Sequence, residues 1–170
     1  KRQREFLDEE SEAIYQKLQA ELPNYEVALT STTKDEDKFL VRTYSDRSLG
    51  SYYFYDKNTE ELKKLADVSP WLDEDKLSPM EPISYKTRDG LTVHGYLTLP
   101  NGKEPKNLPV VVNPHGGPWV RDNWGYNPEV QLLADRGYAV LQVNYRGSTG
   151  YGKEFWTASF KQWGQAMQND

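Results

Sequence analysis

The chain has 170 residues, enough for one domain or parts of two, with 28% charged residues and a formal net charge of -5. Basic and acidic residues are interspersed, so the electrostatic footprint of a nucleic-acid binder is missing, and neither nucleic acid nor a membrane is expected as a partner. The absence of cysteine excludes disulfide frameworks, cysteine nucleophiles and thiolate metal sites. The two histidines, His94 and His115, stand in no His/Asp/Glu grouping with zinc spacing, so neither metal nor cofactor is expected.

Lys1-Arg2-Gln3-Arg4 leads into acidic sequence rather than an apolar signal core, and no apolar run approaches the ~20 residues of a membrane span. A cytoplasmic location is the expectation. Residues 5–22 place Phe6, Ile14, Leu18 and Leu22 near helical spacing, with acidic residues early and Pro23 beyond the end, which predicts a helix. Residues 25–29, 38–44, 51–55 and 61–65 are short and rich in β-formers. Polar clusters at 34–37, 45–50 and 56–59 separate them, giving four strands in a meander. Such a sheet matches one blade of a β-propeller, and no second copy follows at a blade-length period.

Between Ser69 and Pro82 prolines recur without a strand pattern, which predicts a linker with a short helical turn and a boundary dividing residues 1–79 from 80–170. Residues 83–87 and 91–99 flank Arg88-Asp89-Gly90, a hairpin signal. Val110-Val111-Val112 reads as a buried strand, 128–136 as a helix with Gly137 at its C-terminal cap, and 138–145 as a second buried strand. A last helix is predicted over 153–167, with Phe155, Trp156, Phe160 and Trp163 as its aromatic face. Hairpin, strand, helix, strand and helix in that order open an α/β sheet.

The run Asn113-Pro114-His115-Gly116-Gly117-Pro118-Trp119 lies where the first of those strands ends. Its two glycines leave backbone N–H groups uncovered by side chains. A strand emptying into a His-Gly-Gly loop is how α/β-hydrolases supply half of an oxyanion hole, so the chemistry suggested is acyl transfer. A tight turn without catalytic purpose satisfies the same spacing. No Gly-x-Ser-x-Gly occurs anywhere in the sequence.

Four ordered motifs carry a more specific resemblance: Pro82-Ile83-Ser84-Tyr85 with Arg88-Asp89-Gly90-Leu91; Gly95-Tyr96-Leu97-Thr98-Leu99-Pro100; His115-Gly116-Gly117-Pro118-Trp119 with Arg121-Asp122 and Trp124-Gly125-Tyr126; and Asn144-Tyr145-Arg146-Gly147-Ser148-Thr149-Gly150-Tyr151-Gly152. Together they resemble the prolyl oligopeptidase family of serine peptidases, in its acylaminoacyl-peptidase and dipeptidyl-peptidase-like branch. The fold class implied is α/β: the N-terminal part of an α/β-hydrolase sheet preceded by the last antiparallel propeller blade. The resemblance implies a Ser-His-Asp peptidase of short peptides, with one oxyanion donor from Gly116 or, more in keeping with the motif, Gly117. No position of this chain matches the serine, aspartate or histidine of that triad. The chain is therefore expected to be one fragment of a longer polypeptide, inactive alone, with a peptide as substrate and a companion segment completing the sheet.

Trp119, Arg121, Tyr145 and Arg146 are the candidates for a substrate pocket. Arg121 could grip a substrate carboxylate or pair locally with Asp122, and Trp119 could pack helix against sheet. His115 precedes the place of a nucleophile, the wrong order for the base of this fold, and is expected either to fix the loop by side-chain hydrogen bonding or to lie exposed. His94 reads as an ordinary sheet residue. The glycine-rich 146–152 stretch lacks the Walker lysine-hydroxyl pair, because Glu154 follows Lys153, and Ser148 lacks a nucleophile elbow. Two other readings stay open: a carboxylesterase or lipase of the same fold, and a non-catalytic interaction protein.

Overall fold

The computed structural model describes residues 3–170, which divide into two compact units between Asp75 and Lys76. In the first, helix α1 (Glu9–Glu21) precedes a four-stranded antiparallel meander in the order β1 (Glu26–Thr32), β2 (Lys38–Tyr44), β3 (Ser51–Asp56), β4 (Glu61–Asp67). The helix starts at Glu9 rather than Glu5 because Asp8 caps it: its carboxylate accepts the Ser11 N–H at 2.7 Å. Phe6 stays outside the helix and packs on Tyr15, with ring centroids 5.3 Å apart. Strand β2 alternates, burying Phe39, Val41 and Thr43 on one face. Phe39 and Val41 meet Leu18, Val27 and Tyr55 in a core that α1 closes from one side.

The second unit holds a mixed sheet in the order β5 (Met80–Lys86), β6 (Thr92–Thr98), β8 (Ala139–Asn144), β7 (Val110–Val112). Strands β5, β6 and β8 run antiparallel in turn, and β7 runs parallel to β8. Helix α2 (Pro128–Asp135) makes the crossover between them. Asn127 caps it by accepting the Glu129 and Val130 N–H groups, Pro128 stands in its first turn, and Gly137 follows its end at φ 94°, a conformation a side chain would resist. Val130 and Ala134 pack onto the sheet, while buried Gln131 pins the segment before β5 by giving Nε2–H to the Ser78 carbonyl and accepting the Ser78 N–H.

Two expectations change. Strand β7, read as buried, is outermost among the described residues, with Val110 and Val112 58% and 60% exposed on the edge where a companion segment is expected to complete the sheet. The last helix is also short. Only α3 (Lys153–Thr157) is helical; turns follow, with positive φ at Lys161 and Gly164, before a final 3-10 turn over Ala166–Asn169. Phe155 turns inward to Val93 and Val143, while Trp156, Phe160 and Trp163 gather elsewhere. The aromatic spacing is satisfied by a wrapped chain, which a helical period cannot tell from a helix.

Candidate active site

Because β7 and β8 are parallel neighbours, the loops leaving their C-terminal ends emerge side by side, the position where open α/β sheets bind ligands. The first loop begins after the Asn113 N–H extends the ladder to the Leu141 carbonyl at 2.8 Å. Gly117 sits at φ 135°, and a Cβ there would come within 2.9 Å of the Trp119 nitrogen, so the position demands glycine. The Gly117–Pro118 peptide is cis. Gly116 and Gly117 are exposed, and their N–H groups donate to no acceptor among the described residues.

His115 is half-buried and held on every side. Its Nδ1 lies 2.9 Å from the Gly116 carbonyl, which can only accept, so Nδ1 carries the proton. Its Nε2 therefore accepts the Ser148 hydroxyl proton at 2.8 Å. The ring stacks on Tyr145 at 4.5 Å between centroids, and the Tyr145 hydroxyl donates to the His115 carbonyl at 2.7 Å. Ser148, 33 residues away, is fully buried, so a hydrogen-bonded Ser-His pair here offers no oxygen to a substrate.

The continuation of the loop is clamped by Asn144. Fully buried, it accepts the Asp122 N–H at 2.8 Å and donates to the Asp122 carbonyl at 3.1 Å and the Tyr151 hydroxyl at 2.9 Å. Arg121 lies over the Tyr151 ring at 4.5 Å and donates to that hydroxyl; its Nε reaches the Asp122 carbonyl, not the carboxylate. Burial pushes the Asp122 carboxyl and the Tyr145 and Tyr151 phenols up from their ordinary values.

Arg146 spends its guanidinium on two carboxylates, Asp170 and Asp89. Those bonds raise its pKa further and hold the Asp89 carboxyl far below the usual carboxylate range, with Arg146 the largest cause and Thr87 the next. Trp119 is 46% exposed, meets Trp156, Phe160 and Trp163 with centroids 5.9 to 6.3 Å apart, and donates from Nε1 to the Ser159 hydroxyl. His94 stacks on Tyr151. An open cavity of about 650 Å³ is bordered by Gly117, His115 and Tyr145 with Val112, Leu141 and Val143; Trp119, Arg121 and Arg146 are not among its walls. Ser148 and Asn144 are the site residues that sequence reasoning missed. Both stand in the Asn144–Gly152 motif, which names no partner for them; the parallel β7–β8 pairing brings them to Asp122 and His115, 22 and 33 residues away.

Among the described residues, no three His, Asp or Glu side chains group as a metal site would need, and no helix is long and apolar enough to cross a membrane.

The model of the prolyl oligopeptidase family matches residues 124–170. Dipeptidyl aminopeptidase BIII of Pseudoxanthomonas mexicana is 39% identical over 165 residues, 93% of this chain and 24% of that protein. The chain belongs to the prolyl oligopeptidase family. A second family member, dipeptidyl peptidase family member 6 of Caenorhabditis elegans, is 31% identical over 87% of this chain and 23% of its own length. The chain thus spans about a quarter of the length of each of these two relatives. Among solved family structures, the acylaminoacyl peptidase of Pyrococcus horikoshii aligns with a TM-score of 0.65 at 26% identity, over 84% of this chain and 22% of that one. An acylaminoacyl peptidase in complex with Z-Gly-Gly-Phe-chloromethyl ketone aligns with a TM-score of 0.64 at the same identity and coverage.

Proposed function

We propose that this chain is part of a serine peptidase acting on short peptides, in which the β1–β4 sheet is the last propeller blade and residues 80–170 form the first part of the α/β-hydrolase domain. The observation that carries the reading is the pair of exposed, unpaired N–H groups at Gly116 and Gly117, at the C-terminal end of a parallel strand. One of them, Gly117 in preference, stabilises the oxyanion of the tetrahedral intermediate. The nucleophile, acid and base come from sequence outside these 170 residues, since the sequence has no nucleophile elbow and the relatives are about four times as long. That sequence, in the same polypeptide or a companion chain, pairs along the open edge of β7.

Tyr145, in the cavity wall, is the candidate ring that meets the substrate, with Trp119 exposed outside that cavity, whereas Arg121 and Arg146 are engaged by Tyr151 and by two carboxylates and do not line it. A peptide in this groove fits the peptidyl inhibitor bound by the acylaminoacyl peptidase relative.

The test uses the full-length polypeptide and an alkyl fluorophosphonate, which phosphonylates an activated serine whatever the peptide preference. Labelling should occur, and the Gly117 amide proton should move downfield in the adduct. Gly117→Ala keeps the N–H but forces it out of place, because its Cβ would meet the Trp119 nitrogen at 2.9 Å, and should slow labelling towards the ~10²–10³ that loss of one oxyanion donor costs. No labelling, or an adduct that leaves both glycine amides unmoved, refutes the reading.

A further inference from the structure

We infer that Ser148 and Tyr145 are positioning residues for the oxyanion loop, acting through His115; the inference rests on the reading of Gly116 and Gly117 as donors. Oxyanion donors work because they are held in place before charge develops. This loop contains two glycines, which settle into many backbone conformations unless restrained. Between the Asn113 bond to Leu141 and the Thr149 bond to Val120, no backbone-to-backbone hydrogen bond fixes it among the described residues. Restraint therefore falls to side chains. Trp119 anchors one end on Ser159, and His115 anchors the other.

His115 is the hub. Its Nδ1–H closes onto the carbonyl of Gly116, the residue that sets the Gly117 N–H direction through the shared peptide plane. That bond requires one ring orientation and one tautomer, and the Ser148 hydroxyl selects both by donating to Nε2 at 2.8 Å. Tyr145 adds the stacked ring and donates to the His115 carbonyl, so the peptide planes on both sides of Gly116 are held. Ser148 is itself fixed, with its N–H on the Tyr145 carbonyl and no exposure to solvent. The geometry superficially matches a Ser-His nucleophile pair. Burial of Ser148 and the commitment of Nδ1 to a carbonyl, not a carboxylate, assign it to positioning.

The test compares full-length wild type with Ser148→Ala, Ser148→Thr and Tyr145→Phe, reading the fluorophosphonate labelling rate and the Gly117 amide shift in the adduct. Ser148→Ala should slow labelling on the order of tenfold, a fraction of the ~10²–10³ for outright loss of a donor, and should reduce the adduct shift of the Gly117 amide. Ser148→Thr, which keeps the hydroxyl, should recover most of both. Tyr145→Phe retains the stacked ring, so it folds even where Ser148→Ala does not, and should slow labelling several-fold. Wild-type rates in Ser148→Ala or in Tyr145→Phe overturn the inference, as does mass-spectrometric mapping of the phosphonyl group to Ser148. A wild-type adduct without any glycine amide shift instead overturns the oxyanion reading itself, so the two failures are distinguishable.

Discussion

Replacing Asn144 by alanine removes the clamp between the end of β8 and the segment after the oxyanion loop. Two of its partners keep company: the Tyr151 hydroxyl still receives Arg121 at 2.8 Å, and the Asp122 carbonyl still receives Arg121 Nε at 3.2 Å. The Asp122 N–H keeps nothing. An orphaned buried donor costs about 1–3 kcal/mol, and half-burial of Asp122 places this one towards the lower end. The truncated volume at a fully buried position adds about 1 kcal/mol. The expected loss is therefore about 3 kcal/mol, once the two weakened bonds of about 0.5 kcal/mol each are included. Because the chain forms two compact units, the suitable assay is native-state hydrogen exchange read at the β8 amides rather than one global melt. Protection there should fall on the order of 10²-fold, at 1.4 kcal/mol per decade. A loss of protection below fivefold refutes the claim that Asn144 satisfies otherwise stranded backbone groups.

Arg146→Met should destabilise the second unit by about 3 kcal/mol, because it leaves the Asp170 carboxylate, 1% exposed, without its cation; Asp89→Asn should cost far less, since Asp89 is 55% exposed. Urea titrations of both variants compare them, and equal losses would contradict the assignment. In the first unit, Lys38, and after it Thr33, hold the Asp37 carboxyl down to about 2 from 3.8. A folded value below the unfolded one means stabilisation that is fully present above about pH 4 and fades as pH falls through about 2. Circular dichroism melts of wild type and Asp37→Asn between pH 2 and 5 should converge at the acid end.

Much of this architecture is legible in local chemistry. Polar turn clusters between β-rich runs delimit the four strands of the first sheet, Asn127-Pro128 and Gly137 bracket α2, and His115-Gly116-Gly117 follows a strand as its composition requires. These features depend on residues within a few positions of one another, so their energetics are written in the one-dimensional order. The family motifs are equally local, which is why the relationship to peptidases is readable before any fold. What the tertiary structure alone decided is which distant groups meet. Strand order put Val110 and Val112 on the edge left open for a further strand, and the wrapped chain after α3 replaced a helix whose aromatic period it shares. Parallel pairing of β7 with β8 brought Ser148 to His115 and Asn144 to Asp122, and closure of the unit carried Arg146 to Asp89 and Asp170. Each of those contacts joins segments separated by some 20 to 60 residues. Their partners are chosen by packing of the whole sheet, and no local propensity encodes the choice.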